Sequence, residues 1–288
     1  MRELQQNLSR HVHTLAVDIG ERNVFHPTAL AAAAEYIQQQ WQQQGYTVQR
    51  QRYRAKGIDC ANLEIVCQGA GDAEEAIVIG AHYDSVHGSP GANDNGSGVA
   101  ALLELSRLFR DISPHTTVRF VAFVNEEPPF FYWQKMGSMV YAKAARRRGD
   151  PLRFMVSLET IGYFSNAAHS QAYPPLLRWF YPDQGNFIAF VANLRSRRVL
   201  RQAVRQFRHC SSFPLQHIAT FPWLPGVGWS DHLAFWRQGY RAFMITDTAL
   251  YRYPYYHSAE DTADKLCYRP FAQLTEDLFC TFAGMANA

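Results

Sequence analysis

The sequence is short of charge, of cysteine and of long apolar runs. Only 18% of its 288 residues are charged, and 28 Lys plus Arg against 25 Asp plus Glu leave a formal charge of +3. That balance offers no strong field to a polyanion. The longest basic run, Arg146-Arg147-Arg148, reads as the solvated end of a helix, so no nucleic-acid partner is expected. The five cysteines, Cys60, Cys67, Cys210, Cys267 and Cys280, are odd in number and lack CxxC spacing. They fit neither a disulfide framework nor a thiolate zinc site, and buried free thiols are expected. No apolar stretch reaches the roughly 18 residues of a membrane span. The polar start, MRELQQNLSRHVHTLAVDIG, has no signal-peptide core. A soluble, cytoplasmic chain with no membrane partner is expected, although a trimmed secreted form would read the same. Also missing are GxxxxGK[ST], a GxGxxG after a strand, and GxSxG, since only Asn95-Gly96 precede Ser97.

What is present is an ordinary globular composition. Hydrophobic residues at 47% and aromatics at 14% exclude disorder. A chain of this length buries roughly 75% of its unfolded surface. Neither an internal repeat nor a linker is visible, so residues 1–288 are expected to form one domain. An irregular aromatic and proline-rich segment, about 163–186, reads as a folded insertion near a site.

Strands and helices alternate. Helices are expected over 28–44 with Gly45 as the stop, 99–110, 139–148, 196–210, 231–238 and 270–284. Residues 46–53 alternate as a half-buried edge strand that 62–67 can pair with. The apolar runs 76–83 and 117–124 read as strands buried on both faces, joined by 154–158, 187–191 and 241–246. This order predicts an α/β layered fold with a mainly parallel central sheet.

The candidate ligands fall where such a sheet builds sites, at the carboxyl ends of strands. His82 ends one strand, Asp94 lies in the following glycine-rich turn, Glu126 and Glu127 end the next strand, Glu159 a third, and His257 follows a fourth. Taken singly, His82 reads as a packed histidine, Asp94 as a helix cap and Glu126-Glu127 as a solvated pair, while Glu159 after a buried strand is less bland because an unpaired buried carboxylate is costly. Together they bring four carboxylates to one sheet edge. Like charges about 4–6 Å apart raise one another's pKa, so the cluster needs cations. Two divalent ions balance it, and His/carboxylate ligands without thiolate suit zinc, with manganese or cobalt as other fits. In His82-Tyr83-Asp84, Asp84 is placed to accept from the far nitrogen of His82.

The ordered set GAHYDS (80–85), GANDNGSGVAALLELSRLF (91–109), VRFVAFVNEE (118–127), MGS (136–138), SLETIGY (157–163), SDHLAFWRQGYRAFMITDT (230–248) and YHSAEDTADKL (256–266) resembles the co-catalytic zinc aminopeptidases, the family that includes bacterial leucyl aminopeptidases and glutamate carboxypeptidase. The resemblance runs from about Thr28 to the C-terminus. It implies a three-layer zinc-exopeptidase fold, a mixed, mainly parallel β-sheet between helices, and two Zn2+ ions. It implies that His82 and Glu159 complete one zinc site and His257 and Glu127 the other, with Asp94 bridging and followed by a cis peptide. Glu126 is implied as general base toward the activated water, and Tyr256 as a stabiliser of the oxyanion. Substrates would be peptides with a free N-terminus. Two departures stand out: Glu159 occupies a position usually held by aspartate, and Pro128–Trp133 form a longer aromatic connection expected, with Tyr163–Phe187, to line the substrate pocket. Two alternatives share the resemblance. One is a glutaminyl-cyclase-like zinc acyltransferase, against which Tyr256 stands where that group has Trp. The other is a catalytically inactive binding protein on the peptidase fold, against which the full residue set stands.

Overall fold

The computed structural model describes residues 1–71, 75–174 and 177–288. Positions 175–176 of the expected insertion therefore lie outside the described residues. Among the described residues eight strands form one sheet: β1 (Gln49–Ala55), β2 (Ile58–Cys67), β3 (Ala76–His82), β4 (Thr117–Phe123), β5 (Leu152–Glu159), β6 (Ile188–Asn193), β7 (Leu215–Thr220) and β8 (Ala242–Thr246). Their spatial order is β1-β2-β4-β3-β5-β8-β6-β7. The β4-β3-β5-β8 centre is parallel, as is the β6-β7 pair, while β1-β2, β2-β4 and β6-β8 run antiparallel. The sheet is thus mixed and mainly parallel, and the expected edge strand at 46–53 is found at Gln49–Ala55, paired with β2.

Side-chain alternation explains why the central strands read as continuous apolar runs. Ile77 and Ile79 of β3 and Phe154 and Val156 of β5 enter one core, while Val78 and Met155 enter a second on the opposite face. Both faces need cover. The first is covered by α1 (Arg2–His13), α2 (Pro27–Gln43), α3 (Gly98–Phe109), α5 (Arg197–Cys210) and α7 (Tyr268–Ala286). The second is covered by α4 (Gly137–Arg148) and α6 (His232–Arg237). This is the three-layer arrangement.

The N-terminal helix α1 and strand β7 are additions to the expected elements. Leu4, Leu8, Val12 and Leu15 recur at helical spacing and are buried. The helix docks through Glu104 on α3, which accepts from Asn7 Nδ2 at 3.1 Å and from Arg107 and lies 3.4 Å from His11 Nε2. Helix α2 stops where Gly45 takes φ +87°, and α4 ends in its exposed arginines with Gly149 at φ +75°.

The cysteines require a correction. Cys210, at the end of α5, and Cys280, in α7, form a disulfide. Only Cys60, Cys67 and Cys267 are free, the first two buried. Pairing was hidden because two partners on separate helices, 70 residues apart, leave no local spacing signal. No helix among the described residues is long and apolar enough to cross a membrane.

Candidate active site

The parallel centre aligns the carboxyl ends of β3, β4, β5 and β8, and the sequence-picked residues meet there. His82 is the last residue of β3, Glu159 the last of β5, and Glu126 and Glu127 follow β4. Asp94 sits in the turn before α3. Gly98 lets that turn approach β5, because a Cβ there would lie 2.6 Å from the Leu158 carbonyl oxygen. The Asp94–Asn95 peptide bond is cis.

Two imidazoles address one carboxylate. His82 Nε2 lies 3.4 Å from Asp94 Oδ1, and His257 Nε2 lies 3.0 Å from Asp94 Oδ2. His82 Nε2 is also 3.3 Å from Glu159 Oε2, and His257 Nε2 is 3.3 Å from Glu127 Oε1. Glu126 Oε2 is further off, 4.0 Å from His82 Nε2. His82, Asp94, Glu126, Glu127 and Glu159 are buried, while the His257 side chain is 34% exposed.

Asp84 holds the two glutamates from below. Its Oδ1 accepts from the Glu126 N–H and its Oδ2 from the Glu127 N–H, both at 3.1 Å. Its expected partnership with His82 differs in detail. The nearest acceptor to His82 Nδ1 is the Asp84 main-chain carbonyl at 3.1 Å, and the carboxylate stands at 3.6 Å. The carboxylate is already committed to two backbone amides, so the carbonyl takes the imidazole.

Electrostatics set these groups against one another. Burial pushes Glu126 well above the ordinary carboxylate range, against the pull of His82 and helped by Glu127 and Glu159. Burial and Asp94 together push Glu127 up to about 7. Burial also raises Glu159, with His82 pulling it down. Asp94 goes the other way: burial opposes ionisation, yet His257 and His82 hold it below its usual value. His257 rises to about 10, because Asp94 and Glu127 outweigh its burial. Both Asp94 carboxylate oxygens and Glu127 Oε1 are buried without a hydrogen-bond donor. Orphaned anionic oxygens beside imidazole nitrogens are the donor chemistry of a divalent ion such as zinc. Three groups in the cluster have the geometry to hold a metal ion, His82–Asp94–Glu159, His82–Glu126–Glu127 and Asp94–Glu127–His257, the first and last sharing Asp94.

Several supporting residues were not picked out from the sequence. Asp261 fixes the Asp94 turn by accepting from the N–H groups of Asn93 at 2.8 Å and Asp94 at 3.1 Å, and from the Tyr253 hydroxyl at 2.7 Å. Ser230 donates to Glu159 Oε2. Arg22, fully buried, donates to the carbonyls of Tyr83 and Gly91 and so ties the loop after β3 in place. Asp261 and Ser230 lie inside quoted motifs, which was their only signal; Arg22 had none.

Beside the cluster opens an apolar cavity. Glu159 and Tyr256 line it together with Tyr173, Tyr181, Phe187, Val191, Leu224, Trp229 and Met244, among others. Residues of the 163–187 segment thus do line a pocket next to the cluster. The 128–133 segment does not: Phe130 packs into the core, and Tyr132 bonds the Gly228 carbonyl under Arg237. Tyr256 stacks on His257 at 3.9 Å between ring centroids.

The sheet brings imidazoles and carboxylates together at its central strand ends, a donor set that suits a divalent metal, and the family match and relatives that follow make the chain a hydrolase of the metallo-aminopeptidase class. The chain belongs to peptidase family M28, whose family model matches residues 64–282. It is 38% identical over 280 residues to the uncharacterized protein YfbL of Escherichia coli, covering 94% of this chain and 85% of that one. It is 25% identical over 242 residues to a probable leucine aminopeptidase of Arthroderma benhamiae, covering 77% of this chain but only 58% of that one. Among solved structures it resembles BSAP, a zinc aminopeptidase from Bacillus subtilis, with a TM-score of 0.76 at 14% identity over 98% of this chain and 95% of that one. The Fimbriiglobus ruber glutaminyl cyclase shares the fold, with a TM-score of 0.74 at 20% identity over 97% of this chain and 94% of that one.

Proposed function

We propose that the protein removes the N-terminal residue from peptides with a free N-terminus, with two zinc ions held by His82, Asp94 and Glu159 and by Asp94, Glu127 and His257. The observation that carries this reading is the pair of ligand groups sharing Asp94. Manganese or cobalt suits the same donors. When bound, such ions lower the pKa of a water to about 7 and polarise a carbonyl.

The chain's own residues supply the rest. Glu126 takes the proton of the attacking water and delivers it to the leaving amine. Asp84, through the Glu126 N–H, fixes where that carboxylate starts. The Tyr256 hydroxyl donates to the developing oxyanion, its ring held by the stack on His257. Acidic groups beside the metals hold the substrate's ammonium group, which restricts cleavage to the first residue. The apolar cavity beside Glu159 and Tyr256 takes that residue's side chain and favours a large apolar one. Two complete ligand groups favour hydrolysis over the cyclisation performed by the related one-zinc acyltransferases.

The test is a panel of free and N-acetylated aminoacyl substrates. Chelation should abolish turnover, and zinc, manganese or cobalt should restore it. Glu126→Gln should lower kcat by about 10²–10⁴-fold. Equal cleavage of free and acetylated substrates, or wild-type turnover in Glu126→Gln, overturns the reading.

A further inference from the structure

A second group of metal-ligating side chains lies outside the Asp94 cluster and takes no part in the reaction proposed above. Glu21 and His26 come from the turn between α1 and α2, and His87 from the loop after β3. Glu21 Oε1 is 3.2 Å from His26 Nε2 and 3.0 Å from His87 Nδ1. Asn23 Nδ2 donates to the same oxygen at 3.0 Å. Three nitrogens thus converge on an oxygen with two lone pairs. Asn23 Nδ2 has the Ser85 carbonyl as a second acceptor, so the two imidazoles are the groups that an ion beside the carboxylate engages, through their own lone pairs.

The platform is built before any ion arrives. Asn23 Nδ2 also reaches the Ser85 carbonyl at 3.1 Å, and the Ser85 N–H donates to the Arg22 carbonyl at 3.0 Å. Buried Arg22 holds the Tyr83 and Gly91 carbonyls on either side of His87. The rings of His26 and His87 stack at 17° with centroids 6.4 Å apart, and Phe25 meets His87 edge-on. The ligand atoms of Glu21, His26 and His87 all lie within 4.8 Å of one another.

We propose that Glu21, His26 and His87 form a further metal site, distinct from the Asp94 cluster, for a borderline divalent transition ion such as zinc. Two imidazole nitrogens and one carboxylate oxygen are its ligands, and the remaining positions open to water, since His26 and His87 are 48% and 69% exposed in their side chains. Each imidazole binds through the nitrogen facing Glu21 and carries its proton on the outer one. The ion ties the turn before α2 to the loop that follows His82 and Asp84. It would stabilise the fold by binding the native state only.

The experiment is equilibrium dialysis of the full chain against zinc, followed by elemental analysis. The wild type should hold one ion per chain more than His26→Ala/His87→Ala. His87→Gln, which keeps a hydrogen-bond donor for Glu21, should lose the same ion. Cu2+ titrated into zinc-loaded wild type should give an EPR signal with two-nitrogen coupling, absent from the double variant. Both variants should retain wild-type turnover, because neither residue belongs to the Asp94 cluster. Equal zinc content in wild type and both variants overturns the site. A failure of the catalytic reading would instead appear as a shared loss in all three chains.

Discussion

The Ser230 hydroxyl donates to Glu159 Oε2 across 2.7 Å, and Ser230 in turn sits 2.7 Å from the Ser157 hydroxyl. This chain of hydroxyls aims the glutamate oxygen that lies 3.3 Å from His82 Nε2. If Glu159 holds a metal as proposed, Ser230 is the fixed donor that steers its longer side chain. Ser230→Ala should therefore weaken metal binding or turnover about 10–100-fold, the usual effect of removing a group that orients a ligand. Glu159→Asp should do the same, because its shorter carboxylate leaves the reach of Ser230. Zinc competition against a chromophoric chelator measures both. Unchanged affinity and turnover in Ser230→Ala would show that Glu159 needs no such guide.

The cavity predicts substrate choice. Val191 lines it from β6, packed with Phe187, Val227 and Met244. Val191→Phe puts a ring into the space assigned to the substrate's first side chain. The kcat/KM for leucyl and phenylalanyl substrates should fall about 10–100-fold, while that for alanyl substrates stays near wild type. A uniform loss across all three would mean that the first side chain lies elsewhere.

The pattern of strand ends was the part of this molecule most open to reading. His82, Glu126, Glu127 and Glu159 follow runs such as AIVIGAH and TVRFVAF, whose two-faced burial demands a covered parallel sheet, and such sheets collect groups at one edge. Helix α1 escaped because its few apolar residues are diluted by polar ones; only their spacing, Leu4, Leu8 and Val12, marks the buried stripe. Strand β7 escaped because its partly exposed LQHIAT lies at the sheet's far edge, where burial imposes little pattern. Arg22 and the main-chain partner of His82 are consequences of loop geometry, which no spacing rule encodes.

The buried Glu104 makes stability depend on acid. Burial alone would raise its pKa, but His11, Arg107 and Asn7 bring it down to about 2 from an ordinary 4.5. The folded value lies below the unfolded one, so the contribution is complete above pH 4.5 and fades as pH falls towards 2. It amounts to about 2–3 kcal/mol at neutral pH and to about half of that at pH 3. Glu104→Gln should lower the denaturation midpoint at pH 7 and have a smaller effect at pH 3. An equal effect at both values would assign the loss to packing of α1 on α3 rather than to charge.

The Cys210–Cys280 bridge joins α5 to α7 over a separation of 70 residues. Closing a loop of that length restricts the unfolded chain, with a limit of about 4 kcal/mol in the chain-entropy account. The two helices also pack through their own apolar faces, Leu200, Ala203 and Phe207 against Leu274, Leu278 and Phe282, so the fold should survive without the bridge. Cys210→Ser/Cys280→Ser should lower Tm by about 6 °C for a chain of this size. Reductant should produce the same drop in the wild type and none in the variant. Thiol titration in denaturant should count the three free cysteines, Cys60, Cys67 and Cys267, before reduction. A count of all five would mean that the bridge does not form where the protein is made, since such bonds persist in oxidising compartments.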